Sequence, residues 1–401
     1  MLKEKNIVLG VSGGIAAYKA CALTSKLTQL GADVKVVMTS SAMKFVSPLT
    51  FQSLSRNPVY VDTFDEKDPK KIAHIDVADW ADIVIIAPAT AHVLGRIANG
   101  LADDMLSTLL LATTAPVYIA PAMNVNMYKH PAVIENMKQL ERWGYHFIEP
   151  GAGYLACGWI GKGRMEEPES IIKVIDSHLK ESKLLAGQKV LVSAGPTREV
   201  MDPVRFFSNR SSGKMGFAIA EAAAYYGAEV TLVTGPVQME VSNKRIKRID
   251  VTSADDMFQA MTKEFPFQDI VIKAAAVADY RPKLVYDEKM KKKDTGQLEI
   301  EMERTKDILV SLGEKKSHQF LVGFAAETTK PVDYGMKKLE EKNLDAIVVN
   351  NVSTEGAGFE GDTNIATYIN KQLQQEEIGL STKKDVAKKI LRFIMRDMKG
   401  E

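Results

Sequence analysis

Cysteine is nearly missing: Cys21 and Cys157 are the only two. They lie far apart, no CxxC occurs, and none of the six histidines stands at metal-ligand spacing from another. Neither a disulfide framework nor a structural zinc site is expected. No uninterrupted apolar run is long enough to span a bilayer, so no membrane partner is expected. The opening "MLKEKNIVLGVSGGIAAYKACAL" is basic and then apolar, like a leader. Glu4, Gly13-Gly14 and Lys19 interrupt it, and it reads better as a strand and turn. Charge of one sign is not in excess either. Lys plus Arg is 52 against 51 for Asp plus Glu, so no general basic surface invites nucleic acid. A reducing cytoplasm suits this composition. Two nucleotide motifs are also absent, the GxGxxG dinucleotide fingerprint and the GxxxxGK[ST] loop.

What is present has a repeated grammar. At 401 residues the chain is long for one core and suggests two domains. "NIVLGV" at 6–11 is a short apolar run leading into Ser-Gly-Gly. Helical spacing follows through Ala16, Ala20, Leu23, Leu27 and Leu30, and "ADVKVVMT" resumes as a strand, which makes one βαβ unit. The pattern restarts at 187 with "QKVLVSAGPT", "GFAIAEAAAYYG" and "AEVTLVTG". A single generic α/β pattern seen twice is the other possibility. The different chemistry of the two loops favours two units, joined near 177–188. "DIVIIAPAT", "APVYIAPAMN", "DIVIKAAAVADY", "FLVGFAAET" and "LDAIVVNNV" read as strands buried on both faces of parallel sheets. Ligands gather beyond the carboxyl ends of such strands. Ser12, Thr39, Thr90 and Asn124 should therefore converge on one site, and Asp279, Phe324 and Asn350 should face another.

Several segments carry candidate chemistry. "VSGGIAAYK" suits either a phosphate on a helix N-terminus or a plain tight turn. "GAGYLACGWIGKGRM" places Cys157 among glycines, material for a loop that closes over a site or for an ordinary flexible loop. Cys21 falls on an apolar helix stripe and reads as core. His74 in "KKIAHIDVADWAD" is, by itself, ordinary structural material. "RFFSNRSSGKMG" at 205–216 offers free NH groups, two Arg and a Lys ahead of a helix, which fits both a cap (Ser211 or Ser212) and an anion site. "DEKMKKK" at 287–293 is a solvated charge run or a lysine lid over a triphosphate, and residues 284–297 read as a mobile flap. Lys338 and Lys342, four apart, share a helix face.

Taken together, "VSGGIAAYK", "HIDVADWAD", "APAT", "PAMNVNMY", "ACGWIGKGRM", "SNRSSGKMG", "AAAVADYR", "EKMKK" and "GFAAET" occur in one order along essentially the whole chain. In this the chain resembles the bacterial bifunctional phosphopantothenoylcysteine decarboxylase/phosphopantothenate–cysteine ligase family of coenzyme A biosynthesis. The resemblance implies an α/β protein of two doubly wound, Rossmann-like three-layer domains in tandem, the first flavodoxin-like. Residues 1–180 would form an FMN-dependent decarboxylase and 187–401 a CTP-dependent ligase. It implies FMN at Ser12, Gly13, Thr39, Thr90, Ser107 and Met123. His74, Asn124 and Cys157 would be catalytic in the first half, with Asn124 holding substrate and Cys157 donating a proton from a closing loop. In the second half Asn209 would act in forming an acyl-cytidylate and Lys289 in the attack by cysteine, with Arg205 and Asn209 on the substrate. CTP would meet Ala274, Ala275, Asp279 and Lys289, then Lys306, Asp307 and Ile308, and finally Phe324, Lys338 and Lys342. Mg²⁺ would accompany CTP, with Asp279 nearest the metal. The implied partners are 4'-phosphopantothenate, cysteine, CTP and further copies of the chain: decarboxylase trimers and ligase dimers in a dodecamer. "PATAHV" departs from the "PASANT" of stand-alone decarboxylases, with His92 in place of Asn, and Tyr128 stands where some relatives have Trp.

The implied chemistry explains the odd loops. A cysteinyl carboxylate is hard to decarboxylate until its thiol is oxidised to a thioaldehyde, which supplies the electron sink. Making an amide from a carboxylate needs a leaving group, which CMP provides. Two phosphate-binding loops would then serve two fused reactions. A tandem-Rossmann NAD dehydrogenase is the generic rival and lacks its fingerprint here. A non-catalytic flavin-fold binding subunit is the other, and it could dispense with Cys157 and the ligase segments.

Overall fold

A computed structural model describes residues 2–66, 71–154, 160–241, 243–290, 299–327, 331–351 and 361–400. The chain divides into two compact units, Met1–Lys180 and Glu181–Glu401.

The first unit opens with β1 (Asn6–Val11), α1 (Ala17–Gln29), β2 (Asp33–Met38), α2 (Pro48–Ser55) and β3 (Val59–Tyr60). It continues with α3 (Ala73–Trp80), β4 (Ile83–Ala89), α4 (Ala91–Ala98), α5 (Met105–Ala112), β5 (Val117–Pro121) and α6 (Val125–Tyr128). α7 (Pro131–Arg142), β6 (His146–Phe147), the hairpin β7 (Gly151–Tyr154) and β8 (Ile160–Arg164), and α8 (Pro168–Glu181) complete it. Six strands form a parallel sheet in the order β3-β2-β1-β4-β5-β6, so the winding reverses between β1 and β4. Every residue of β4, "IVIIAPA", is buried. That explains its lack of alternation, because helices cover both faces. One face packs Leu9, Ile85 and Tyr118 with Leu23 of α1 and Ile171 of α8. The other packs Val8, Val84 and Ile119 with Val77, Leu94 and Leu109 of α3, α4 and α5. Cys21 is partly buried against the first of these cores, and burial pushes its thiol pKa up.

The second unit repeats the plan. It runs β9 (Lys189–Ala194), β10 (Arg198–Val200), β11 (Phe206–Ser208), α9 (Lys214–Tyr225), β12 (Glu229–Thr234), β13 (Ile246–Asp250) and α10 (Ala254–Glu264). β14 (Ile270–Lys273), β15 (Tyr280–Pro282), β16 (Met302–Arg304), α11 (Ile308–Lys315), β17 (Phe320–Glu327) and α12 (Pro331–Glu341) follow. β18 (Ala346–Asn351), β19 (Thr363–Asn370), β20 (Gln375–Thr382) and α13 (Lys383–Lys399) close the chain. The sheet order is β13-β12-β9-β14-β17-β18-β19-β20. The first six strands are parallel and the last two antiparallel, and the winding reverses between β9 and β14. The tandem doubly wound architecture is therefore present, with one strand order used twice.

Local chemistry sets the elements. α10 starts in a capping box, where Ser253 accepts from the Asp256 amide and Asp256 accepts from that of Ser253. α9 is rich in alanine, a cheap helix former whose small side chains allow close approach. A Cβ on Gly216 would stand 2.6 Å from the Ala194 Cβ, so only glycine lets α9 lie this near β9.

Candidate active sites

In the first unit the crevice at the winding reversal collects several of the candidate residues. It is a cavity of about 880 Å³. Ser12, Thr39, Thr90 and Asn124 follow β1, β2, β4 and β5, and all four line it. Gly13 and Met123 line it too. The Ser12 hydroxyl donates to the Pro88 carbonyl at 2.7 Å and accepts from the Thr90 amide at 3.1 Å, which ties the ends of β1 and β4 together. Thr90 caps α4 through the Val93 amide. The Thr39 hydroxyl accepts from the Ala42 amide, and Asn124 caps α6 by accepting from the Asn126 amide at 2.8 Å. A Cβ on Gly13 would lie 2.3 Å from the Ser41 Cβ, so the loops after β1 and β2 meet only because this residue has no side chain.

These features fit a flat phosphorylated cofactor. α1 begins with no side-chain cap and no acidic residue in its first turn, so its leading NH groups suit a phosphate. The volume falls in the range of small-molecule pockets.

Ser107 does not line the cavity. It is buried at the third position of α5, where its hydroxyl and amide both go to the Asp104 carboxylate. His74 is also outside the cavity lining. It sits in the first turn of α3, with Nδ1 buried and without a hydrogen-bond partner. Cys157 lies outside the described residues. The hairpin that flanks it is tied to the cavity, since the Met123 amide donates to the Gly163 carbonyl at 2.9 Å.

Sequence reasoning passed over two charged groups here. Lys19 is only 5% exposed, and its ammonium donates to the Met165 carbonyl at 2.7 Å and to Glu167 at 2.8 Å. Arg96 pairs with both Asp103 and Asp104 on the cavity wall. Only one hint existed for Lys19: it falls among the apolar positions of α1.

The second crevice is laced by side-chain bonds. Asn209 donates to the Ala276 and Val277 carbonyls at 3.3 and 3.0 Å. Ser208 donates to the Thr197 carbonyl, and the Thr197 hydroxyl accepts from the Ala278 amide. The Ala275 amide donates to Ser193. Arg205, Asn209, Ala274 and Ala275 thus belong to two loops held edge to edge. Beneath them the fully buried Asp202 carboxylate accepts from the amides of Val204 and Arg205 at 2.8 Å and of Met290 at 3.2 Å. Burial alone would raise its pKa; the three amides and Arg205 outweigh that and hold it below the usual carboxylate value. Asp202 therefore anchors the residue after Lys289, which itself is exposed. Of the expected flap, residues 284–290 are described. They are tied down, because Tyr286 donates to the Met201 carbonyl and Met290 to Asp202.

Charges gather on one side of this crevice. Asp307 caps α11, just ahead of buried Ile308, and pairs with Lys342 at 2.7 Å. Burial would raise its pKa, but Lys342 and the Val310 amide hold it below the usual value. Lys306 pairs with Asp255 and lies over the Phe258 ring. The Asp279 carbonyl accepts from the Thr305 amide. Lys338 lies in the last turn of α12, one turn before Lys342. Phe324 packs instead against the core shared with α9 and α13, and the buried Asn350 Oδ1 has no hydrogen-bond partner. Sequence reasoning missed Lys273, at the end of β14. Among the described residues no group of three or more His, Cys, Asp or Glu could hold a metal ion, and no helix is long and apolar enough to cross a membrane.

The comparisons with known proteins cover both units. Residues 1–180 match the family described as "Flavoprotein" and 185–398 the "DNA/pantothenate metabolism flavoprotein C-terminal domain". The "Coenzyme A biosynthesis bifunctional protein CoaBC" of Bacillus subtilis is 58% identical over 98% of this chain and 97% of that protein. Its namesake from Vibrio cholerae is 46% identical over 99% of both. A "Cysteine/Cysteine sulfinic acid decarboxylase" of unknown prokaryotic origin is 47% identical over 87% of this chain and 99% of that protein. The crystal structure of the C-terminal domain of a CoaBC protein covers 55% of this chain and 100% of its own, at 45% identity and TM-score 0.47. With two family matches in tandem and full-length relatives at this identity, the chain belongs to the flavoprotein family of bifunctional coenzyme A biosynthesis proteins.

Proposed function

We propose that the chain performs two consecutive steps: CTP-dependent joining of cysteine to 4'-phosphopantothenate in residues 187–401, then FMN-dependent decarboxylation of the product to 4'-phosphopantetheine in residues 1–180. The observation that carries this is one strand order used twice with different site chemistry, a cavity walled by glycines, hydroxyls and already paired charges in one unit and a lysine and aspartate cluster in the other.

In the ligase step the substrate carboxylate attacks the α-phosphorus of CTP and pyrophosphate leaves. The cysteine amine then attacks the acyl carbon of the acyl-cytidylate and CMP leaves. Asn209, its amide plane set by two carbonyls, and Arg205 hold the substrate at the loop edge. Lys338 and Lys342 would offset the triphosphate charge, and Mg²⁺, which would come with CTP, would add to that, with Asp279 the residue to meet it. Lys289 stabilises charge as the amine attacks.

In the decarboxylase step bound FMN would supply the hydride acceptor and donor that loss of CO₂ requires. The residues around it do the rest. Ser12, Gly13, Thr39 and Thr90 would hold the phosphate end, and Met123 would pack on the ring. Asn124 holds the substrate, with His74 and Cys157 acting on its protons. We assign the chain to the cytoplasm as a homo-oligomer of decarboxylase trimers and ligase dimers.

The test is mass analysis of products from 4'-phosphopantothenate, cysteine, CTP and Mg²⁺. Phosphopantetheine with CMP is the expected result. Stopping at phosphopantothenoylcysteine would sink the assignment of the first unit, and cysteamine from free cysteine would redirect it to a different substrate.

A further inference from the structure

Lys273 is the last residue of β14, the strand beside the winding reversal. Its register neighbours are Ser193 on β9 and Gly323 on β17, so the sheet supplies it with no counter-charge. Residues two apart on a strand share a face. Val271 packs with Met257, Leu309 and Leu339, which puts Lys273 on the side covered by α10, α11 and α12. The charges it feels there are Lys342 just past α12, Lys338 on α12, Asp307 at the cap of α11, and Asp279 in the loop beyond β14. Asp307 is already engaged by Lys342 at 2.7 Å, and Lys306 and Asp255 form their own pair. Among the described residues the Lys273 ammonium makes no hydrogen bond and no ion pair. A partly buried cation without a partner is costly to a fold. An arriving polyanion removes that cost.

We propose that Lys273 is a phosphate-binding residue of the second unit, its ammonium contacting the triphosphate of the nucleotide beside Lys338 and Lys342. This rests on the ligase reading of that unit and goes beyond it, because Lys273 stands outside the segments that mark the family. Burial, with the two lysines adding to it, pushes the free Lys273 ammonium down to about 8. An anion at contact distance raises it again. Between pH 8 and the ordinary lysine value, triphosphate binding therefore takes up a proton, and affinity falls as pH rises through that window. Below pH 8 the lysine is already charged and no uptake occurs.

The experiment titrates the full-length protein calorimetrically with inorganic triphosphate and separately with cytidine, in buffers of different ionisation enthalpy at pH 8.5. Lys273→Met and Lys273→Arg are compared with the wild type. Losing one charge-assisted contact corresponds to about tenfold or more in affinity. Lys273→Met should bind triphosphate at least tenfold more weakly, lose the proton uptake and leave cytidine binding unchanged. Its KM for CTP should rise while KM for cysteine stays put. Lys273→Arg should recover most of the affinity. The Met variant should melt no lower than the wild type without ligand, since it removes an unpaired cation. Equal triphosphate binding by wild type and Met variant overturns the proposal, as does parallel weakening of cytidine and triphosphate. If the wild type binds triphosphate through Lys273 yet releases no CMP with its substrates, the phosphate contact stands and the ligase reading fails. If the wild type binds no triphosphate, both fail.

Discussion

The two crevices sit at the same place on the same strand order and are built from different materials. The first is closed by hydroxyls and glycines: Ser12 joins β1 to β4, and Gly13 lets two loops touch. The second is laced by Asn209, Ser208 and Thr197 and edged by Lys273, Lys338, Lys342, Asp279 and Asp307. The sheet supplies only a location, and the loops supply the chemistry. A flat ring with one phosphate needs close walls and a helix N-terminus. A triphosphate needs several cations, and cations placed together need aspartates to keep the empty site stable.

The comparison can be broken from either side. On the flavin side the largest effect should come from Gly13→Val, whose Cβ would fall 2.3 Å from the Ser41 Cβ. Flavin absorbance of the purified protein should drop below about a tenth of wild type, the more-than-tenfold loss expected of a backbone cradle forced apart. CTP-dependent CMP release should persist. A variant that keeps its flavin would show that the cofactor does not use this loop.

Next, Lys289→Gln should slow amide formation by about a hundredfold, the usual loss for one charge-stabilising group. Acyl-cytidylate should still form, seen by quenched-flow mass analysis. Its absence would move Lys289 to the earlier step.

Asp202→Asn should destabilise the second unit, because one carboxylate serves three amides. Denaturant unfolding followed by a probe in the second unit measures this, and flavin absorbance serves as the control. The group's pKa is lowered in the fold, so its contribution is present above the unfolded carboxylate value of about 3.9 and fades as pH falls through the folded one. The gap between wild type and variant should therefore close in acid. A gap independent of pH would mean that packing, not charge, carries the effect.

Thr90→Ala should be mildest. Loss of the α4 cap costs about 1 kcal/mol. Calorimetric melting should show a small downward shift in the transition of the first unit, and an unchanged transition would mean that the cap contributes nothing.

Much of the plan was legible without coordinates. The continuous apolar runs at 83–89 and 270–272 read as strands covered on both faces. Once they are strands, the polar residue after each one lies at the carboxyl edge. Ser12, Thr39, Thr90 and Asn124 therefore came together as expected. Ser107 did not join them. Asp104 three residues earlier claims it for a capping box, a local bond that competes with any ligand. The position of His74, its Nδ1 buried and unpaired outside the cavity lining, had no sequence signal at all.

By itself the sequence determined the periodicities, and with them the elements, their alternation and the two loops where each winding begins. Those depend on neighbours a few positions apart, which a linear text records. Only the tertiary structure decided which charges are paired. Asp202 and Met290 are 88 positions apart, Lys19 and Glu167 are 148 apart, and both pairs touch. Lys273 reads as one more surface lysine until β14 is set between β9 and β17 with α12 over its face. Burial and partnership are properties of what packs on a residue from elsewhere in the chain, and they set its charge state and its use.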